Sequence, residues 1–210
     1  MKNYTSYDLI EWGKPFEKSQ HALPEPTLSE VLIRVTAAGL CHSDLHVQKG
    51  YMDLGEEGRL TFAERGAQLP MTFGHEIAGF VEAVGDKVKN VSIGQQVLVF
   101  PWIGCGDCLA CNEDRESDCS AMRIIGLKQK GGFATHCLIE NEKFLVNIDG
   151  LDATEVVPHA CSGITVYNAL EKIGFLRDGE WLAVMGCGGL GLNAIAIAGA
   201  MGFDNIIGID

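Results

Sequence analysis

Long apolar runs, surplus positive charge and internal repeats are all missing from this sequence, and each absence excludes a class of protein. No stretch of the 210 residues approaches the roughly 18 apolar residues of a membrane-spanning helix. Residues 1–16 lack the apolar core of a secretory signal, so the expected compartment is the cytoplasm. Lysine and arginine number 16 against 28 aspartates and glutamates, a formal net charge of −12. That balance argues against nucleic acid or an anionic membrane surface as a partner. A hydrophobic share of 47% with 21% charged residues suits a globular chain able to bury a core.

Cysteine is abundant. Eight cysteines in a chain with no visible leader are better explained as thiolate ligands than as disulfides. Four of them form the run Cys105-x2-Cys108-x2-Cys111-x7-Cys119, which can supply four thiolates to one tetrahedral zinc. Such a site is closed and structural. Its task would be to pin an irregular lobe, including Asp107 and the stretch 113–118, that has few apolar residues of its own. Cys41 lies instead in Cys41-His42-Ser43-Asp44-Leu45-His46, and Gly74-His75-Glu76 follows. Together these suggest a second metal with mixed sulfur and nitrogen ligands, the chemistry of a catalytic zinc that keeps one position open. Taken singly, Cys41 reads as a small buried hydrophobe and His75 as a hydrogen-bonded core histidine.

Along the chain, 28–146 has a β-rich texture, with strands expected at 31–35, 77–84, 96–100 and 134–139. Gly131-Gly132 marks the turn before the last of these. The polar segment 50–69 reads as a surface loop with one helical turn at most. The texture changes near residue 150, giving a first domain over 1–150 and a second over 151–210. Helices are expected at 153–158 and 163–173, then a buried strand at 180–185. Gly186-Cys187-Gly188-Gly189-Leu190-Gly191 follows, then an alanine-rich helix to Met201 and a strand at 205–209 that ends at Asp210. This is the fingerprint of a dinucleotide-binding β-α-β unit, the start of a doubly wound parallel (Rossmann) sheet. Gly186 permits the tight turn, and Gly188 with Gly189 lets backbone amides approach a pyrophosphate at the helix N-terminus. Asp210, 19 residues after Gly191, would hydrogen-bond the adenosine ribose and repel a 2′-phosphate, favouring NAD over NADP.

These residues together resemble the zinc-containing medium-chain alcohol dehydrogenases, over essentially the whole chain. The most specific part is Gly74-His75-Glu76-x2-Gly79-x5-Gly85, which looks like the zinc signature of that family. The resemblance implies a GroES-like β-rich catalytic domain before the Rossmann sheet. It implies a catalytic zinc besides the structural one, with Cys41 and His75 as two ligands. The third maps to Cys161, in Pro158-His159-Ala160-Cys161-Ser162-Gly163. Glu76 would be a carboxylate near that metal, or a transient ligand. Ser43 would take the proton of an alcohol substrate, and His46 would pass it to solvent by way of the cofactor ribose. His42 would lie by the cofactor pyrophosphate. Cys137 and Cys187 match no ligand position and are expected to be packing residues. The implied activity is hydride transfer between a small alcohol or aldehyde and NAD, in a full-length form that is a homo-oligomer.

The sequence also departs from the family. The stretch between Cys41 and His75 is longer than is common there, and Gly94-Gln95-Gln96-Val97 lacks the usual acidic residue after the glycine. The sequence stops at Asp210, with about two of the six strands of a full nucleotide-binding sheet. The expectation is a chain that binds zinc, exposes apolar faces and turns over little on its own. Two other readings are kept: a polyol or amino-alcohol dehydrogenase of the same superfamily, which often has a carboxylate where Cys161 stands, and a non-catalytic zinc-stabilised binding module.

Overall fold

Branched aliphatic runs separated by glycine turns build strands through most of the chain. The computed structural model describes residues 2–174 and 176–210, in two units, Met1–Val157 and Pro158–Asp210. This division falls a few residues beyond the change of sequence texture near 150, so the helical turn at 153–156 goes with the first unit.

The first unit opens with β1 (Asn3–Leu9) and β2 (Glu17–Ala22), an antiparallel ribbon, then β3 (Val31–Gly39) and α1 (His42–Lys49). A hairpin of β4 (Tyr51–Asp53) and β5 (Arg59–Thr61) leads to β6 (Met71–Thr72), which pairs with β1. Next come β7 (Glu76–Val84) and β8 (Gln96–Val99). The lobe after them holds β9 (Trp102–Ile103), α2 (Leu109–Asn112) and β10 (Arg123–Ile124), with β9 and β10 paired. β11 (His136–Ile139), β12 (Leu145–Asn147) and α3 (Ala153–Val156) close the unit.

The main sheet has the order β11-β3-β7-β8-β12, with every neighbour antiparallel. Its core follows from period-two alternation: Val31, Ile33, Ile77, Val81, Val97, Val99 and Ile139 are buried together with Phe144. Each such side chain contributes about 1.5–3 kcal/mol relative to exposure. A second cluster gathers Leu9, Val47, Phe62, Ala67 and Phe73, with Trp12, Phe16 and Phe133 against it. Phe16 packs edge-on to both Phe73 and Phe133, at 6.0 and 5.8 Å.

The second cluster corrects the expectation for 50–69. That segment is a paired hairpin, not a loop, and it sends Phe62 and Ala67 into the core. Its polar residues Glu56 and Glu57 sit in the single 3-10 turn between the strands, and Arg59 lies over the Tyr51 ring at 4.3 Å. Among the elements that lay outside the sequence reading are the β1–β2 ribbon and the helix α1, which carries the residues that follow Cys41.

The second unit consists of α4 (Ser162–Ile173), β13 (Leu182–Met185), α5 (Gly189–Ala200) and β14 (Ile206–Ile209). β13 and β14 are parallel, Leu182 opposite Ile206 and Met185 opposite Ile209. Leu170, Leu182, Ala198 and Phe203 form its core. β13 was expected to be buried, but only Leu182 is. Trp181 and Met185 are 63% and 74% exposed, because helices cover just one face of this two-stranded sheet. Among the described residues no helix is long and apolar enough to cross a membrane.

Candidate metal centres and the dinucleotide turn

The four clustered cysteines converge. Cys105 and Cys108 precede α2, Cys111 lies within it and Cys119 follows, and their sulfur atoms all lie within 4.8 Å of one another. Cys111 Sγ is 3.5 Å from Cys108 Sγ and 3.9 Å from Cys105 Sγ. These are thiols, not disulfides, and four sulfurs so close in one short segment fit one tetrahedral soft cation. The amide of Cys105 donates to Cys119 Sγ at 3.3 Å, and this amide leads the causes that hold the Cys119 thiol down at about 7. The lobe is tied to its surroundings by ion pairs. Glu116 takes Lys143 at 2.5 Å, and Arg123 bridges the Gly104 carbonyl and Glu140.

The mixed group is built differently. Cys41 is the residue preceding α1, with extended backbone angles (φ −85°, ψ 152°), while His75 and Glu76 lie at the start of β7. One ligand atom from each of Cys41, His75 and Glu76 lies within 4.8 Å of the other two. Asp44, which sequence reasoning passed over, organises this group. Its Oδ2 accepts the Cys41 amide at 2.9 Å, and its Oδ1 lies 3.4 Å from His75 Nδ1, with the carboxylate 3% exposed. The Nδ1 edge of the ring therefore faces a carboxylate, and Nε2 lies toward the Ser43 hydroxyl. This is the arrangement that orients a metal-binding imidazole. The spacing from Cys41 to Asp44, that of an N-cap residue and its N3 partner, was the available signal.

Electrostatics in this group follow from burial. Desolvation opposes a charge on His75, but hydrogen bonds to Asp44 and Cys41 outweigh it and raise the ring to about 10. Glu76 is pushed up to about 7, by burial first and by Cys41 second. A cation bound there would replace those protons, since thiolate and neutral imidazole are the ligating forms. Glu76 keeps its place because Gly39 has no side chain: a Cβ at Gly39 would stand 1.9 Å from Glu76 Oε2.

Ser43 joins the group, its Oγ donating to Cys41 Sγ at 3.1 Å and lying 3.5 Å from His75 Nε2. His46 sits one turn along α1 with its ring 4.9 Å from that of His42, and the hydrogen bonds of Ser43 do not run to it. His42 is exposed on α1. Cys161 belongs to the second unit, immediately before α4, where its carbonyl accepts the Thr165 amide at 3.0 Å. Cys137 is buried in the main core, which pushes its thiol up to about 12 and makes it a packing residue.

The glycine turn of the second unit has the geometry its spacing implied. Gly186 has φ 86°, Gly188 caps α5, and no atom lies within 4 Å of a Cβ built at Gly188 or Gly189. A Cβ at Gly191 would stand 1.8 Å from the Gly186 carbonyl, so glycine there lets α5 approach the strand end. Asp210 Oδ1 accepts the Cys187 amide at 3.0 Å, which places its carboxylate against the turn.

Residues 27–150 match the alcohol dehydrogenase GroES-like domain family. The chain is 42% identical over 204 residues to an NAD-dependent alcohol dehydrogenase of Sulfurisphaera tokodaii, covering 96% of this chain and 57% of that protein. It superposes on the alcohol dehydrogenase of Aeropyrum pernix with a TM-score of 0.84 at 28% identity, covering 98% of this chain and 59% of that one. With the D-arabinose dehydrogenase of Sulfolobus solfataricus the TM-score is 0.82 at 30% identity, over 99% and 60%. The chain thus spans little more than half the length of the relatives it matches. The match over the domain that bears both cysteine groups, with the dinucleotide turn beyond it, places the chain in the zinc-containing medium-chain alcohol dehydrogenase family.

Proposed function

We propose that this chain carries the zinc-binding and NAD-docking residues of a dehydrogenase that oxidises a small alcohol or reduces the matching aldehyde or ketone. The observation that carries the reading is the mixed donor set Cys41, His75 and Glu76, oriented by Asp44 and flanked by the Ser43 hydroxyl. Cys161 completes it as a second thiolate, and a cysteine in that position favours an alcohol over a polyol substrate. The donor set fits zinc, being soft sulfur and borderline nitrogen with a carboxylate close by. A zinc so held supplies Lewis acidity toward an alcohol oxygen, and NAD supplies the hydride acceptor.

The residues of the chain do the rest. Ser43, beside Cys41 and His75, receives the hydroxyl proton of the substrate. His46, one turn along α1, would hand that proton on toward solvent. His42 meets the cofactor pyrophosphate, and Gly186, Gly188, Gly189 and Gly191 give it a turn with exposed amides. Asp210 takes the ribose hydroxyls and selects NAD. The other four cysteines hold the structural zinc, and thiols kept reduced suit the cytoplasm.

The test is metal content. Two zincs per chain are expected by atomic spectroscopy, falling to one in Cys41→Ser and in Cys161→Ser. One zinc in the unaltered chain, or two retained in both variants, would overturn the reading.

A further inference from the structure

We propose that Gly131 and Phe133 are positioning residues for the metal ligand His75, clamping the peptide bond that leads into it. The proposal rests on the metal reading of Cys41, His75 and Glu76. In the sequence, the Gly131-Gly132 pair reads only as a turn before β11. Neither glycine has a positive φ, however, so turn conformation does not call for them. Both are buried, and what excludes a side chain from each is a close neighbour.

Phe73, Gly74 and His75 link β6 to β7 and belong to neither strand. Their main-chain hydrogen bonds come from the distant segment 131–133. The amide of Gly131 donates to the Thr72 carbonyl at 2.8 Å, that of Phe133 to Phe73 at 2.9 Å, and that of Gly132 to Gly74 at 2.8 Å. The Gly74 carbonyl matters most, because it shares one planar peptide unit with the His75 nitrogen. Holding that oxygen sets the plane from which the His75 side chain departs. The clamp is itself anchored, since the Phe133 carbonyl accepts the Tyr7 amide of β1 at 2.8 Å.

The approach leaves no room for side chains. A Cβ at Gly131 would strike the Gly74 carbonyl oxygen and stand 2.6 Å from that of Phe73. One at Gly126 would stand 2.8 Å from the same Gly74 oxygen. Gly74 has φ 91°, and a Cβ on it would lie 2.6 Å from the Phe133 ring, which packs edge-on to Phe16 at 5.8 Å. Main chain and a packed ring therefore meet the linker directly, and close-packed contacts pass a displacement on. His75 is held twice over. Asp44 lies 3.4 Å from its Nδ1, and the clamp fixes its main chain. Site groups keep their geometry only when held to about 0.5 Å, and a methyl at Gly131 forces a main-chain shift of that order.

The test reads the ligand itself. With cobalt(II) in both centres, the exchangeable ring proton of a bound imidazole gives a hyperfine-shifted proton NMR signal, and among the proposed ligands only His75 is an imidazole. Gly131→Ala should move that signal and weaken zinc at the mixed centre about tenfold by chelator competition, with the lobe metal retained. Phe133→Leu frees Gly74 from the ring without adding a clash; it should move the signal less, and it decides the matter if Gly131→Ala does not fold. Gly85→Ala is the control. It lies just past the far end of β7, where a Cβ would likewise strike main chain, of Leu28 and Thr27, so it should cost comparable stability and leave the signal in place. An unmoved signal in either folded variant, or an equal shift in Gly85→Ala, would overturn the clamp and leave the metal reading standing. Absence of the signal from the unaltered chain would overturn the metal reading and the clamp with it.

Discussion

The two cysteine groups of the first unit reach the same kind of chemistry by opposite routes. The lobe cysteines lie within 15 residues, and a helix of one turn suffices to bring them together. Cys41 and His75 are 34 positions apart, on a helix start and a strand start, and meet only because α1 and β7 are placed by the core. A local site can be read from spacing, whereas a distributed one depends on packing and on a buried carboxylate, Asp44, that contributes no ligand atom to the cluster.

The largest effect should come from breaking the local site. Cys111→Ser removes one of four thiolates, and the lobe has no core of its own to fall back on. We expect loss of one zinc per chain and rapid proteolytic cleavage between 105 and 119, read by metal analysis and mass spectrometry. Survival of the lobe in this variant would mean that the ion pairs Lys143–Glu116 and Arg123–Glu140 suffice to hold it. Breaking the distributed site through its organiser should do less. Asp44→Asn keeps the shape but weakens the orientation of His75, so zinc affinity at the mixed centre should fall about 10- to 100-fold by chelator competition. The lobe zinc should be unaffected, and an equal loss at both sites would show that Asp44 acts on folding and not on His75.

Gly39→Ala probes the same centre through space. The added methyl meets the Glu76 carboxylate, whose outer end can swing away, but it also stands 2.9 Å from Glu76 Cβ, which cannot. The expected cost is about 1–3 kcal/mol in chemical denaturation, with zinc content retained. No loss of stability would mean that β3 shifts to make room.

This contrast also explains what the sequence could disclose. The lobe, the glycine turn and the β3, β7, β8 and β11 strands carry periodic or motif signals that survive without tertiary context. The β4–β5 hairpin does not: its strands are three residues long, and only Phe62 and Ala67 beyond them hint at burial. Asp44 was legible only as a capping partner.

Asp8 offers the closest control for Asp44, since both are buried carboxylates paired with a histidine, at 4% and 3% exposure. Burial alone would raise the Asp8 carboxyl. The Thr72 hydroxyl at 2.6 Å and His21 at 2.9 Å outweigh burial and hold its pKa below the ordinary value. A native pKa below the unfolded one means that ionised Asp8 stabilises the fold above the ordinary carboxyl pKa of about 3.9, and that this contribution is lost as pH falls through the native value. Asp8→Asn removes it, so the variant should lose less stability than the native chain between neutral pH and about pH 2, measured by urea denaturation at each pH. Zinc content at neutral pH should not change, in contrast to Asp44→Asn. Identical acid slopes in the two chains would show that the Asp8–His21 pair carries no net charge linkage. A loss of zinc would show instead that the ribbon supports the metal centre, and the separation drawn between the two aspartates would fail.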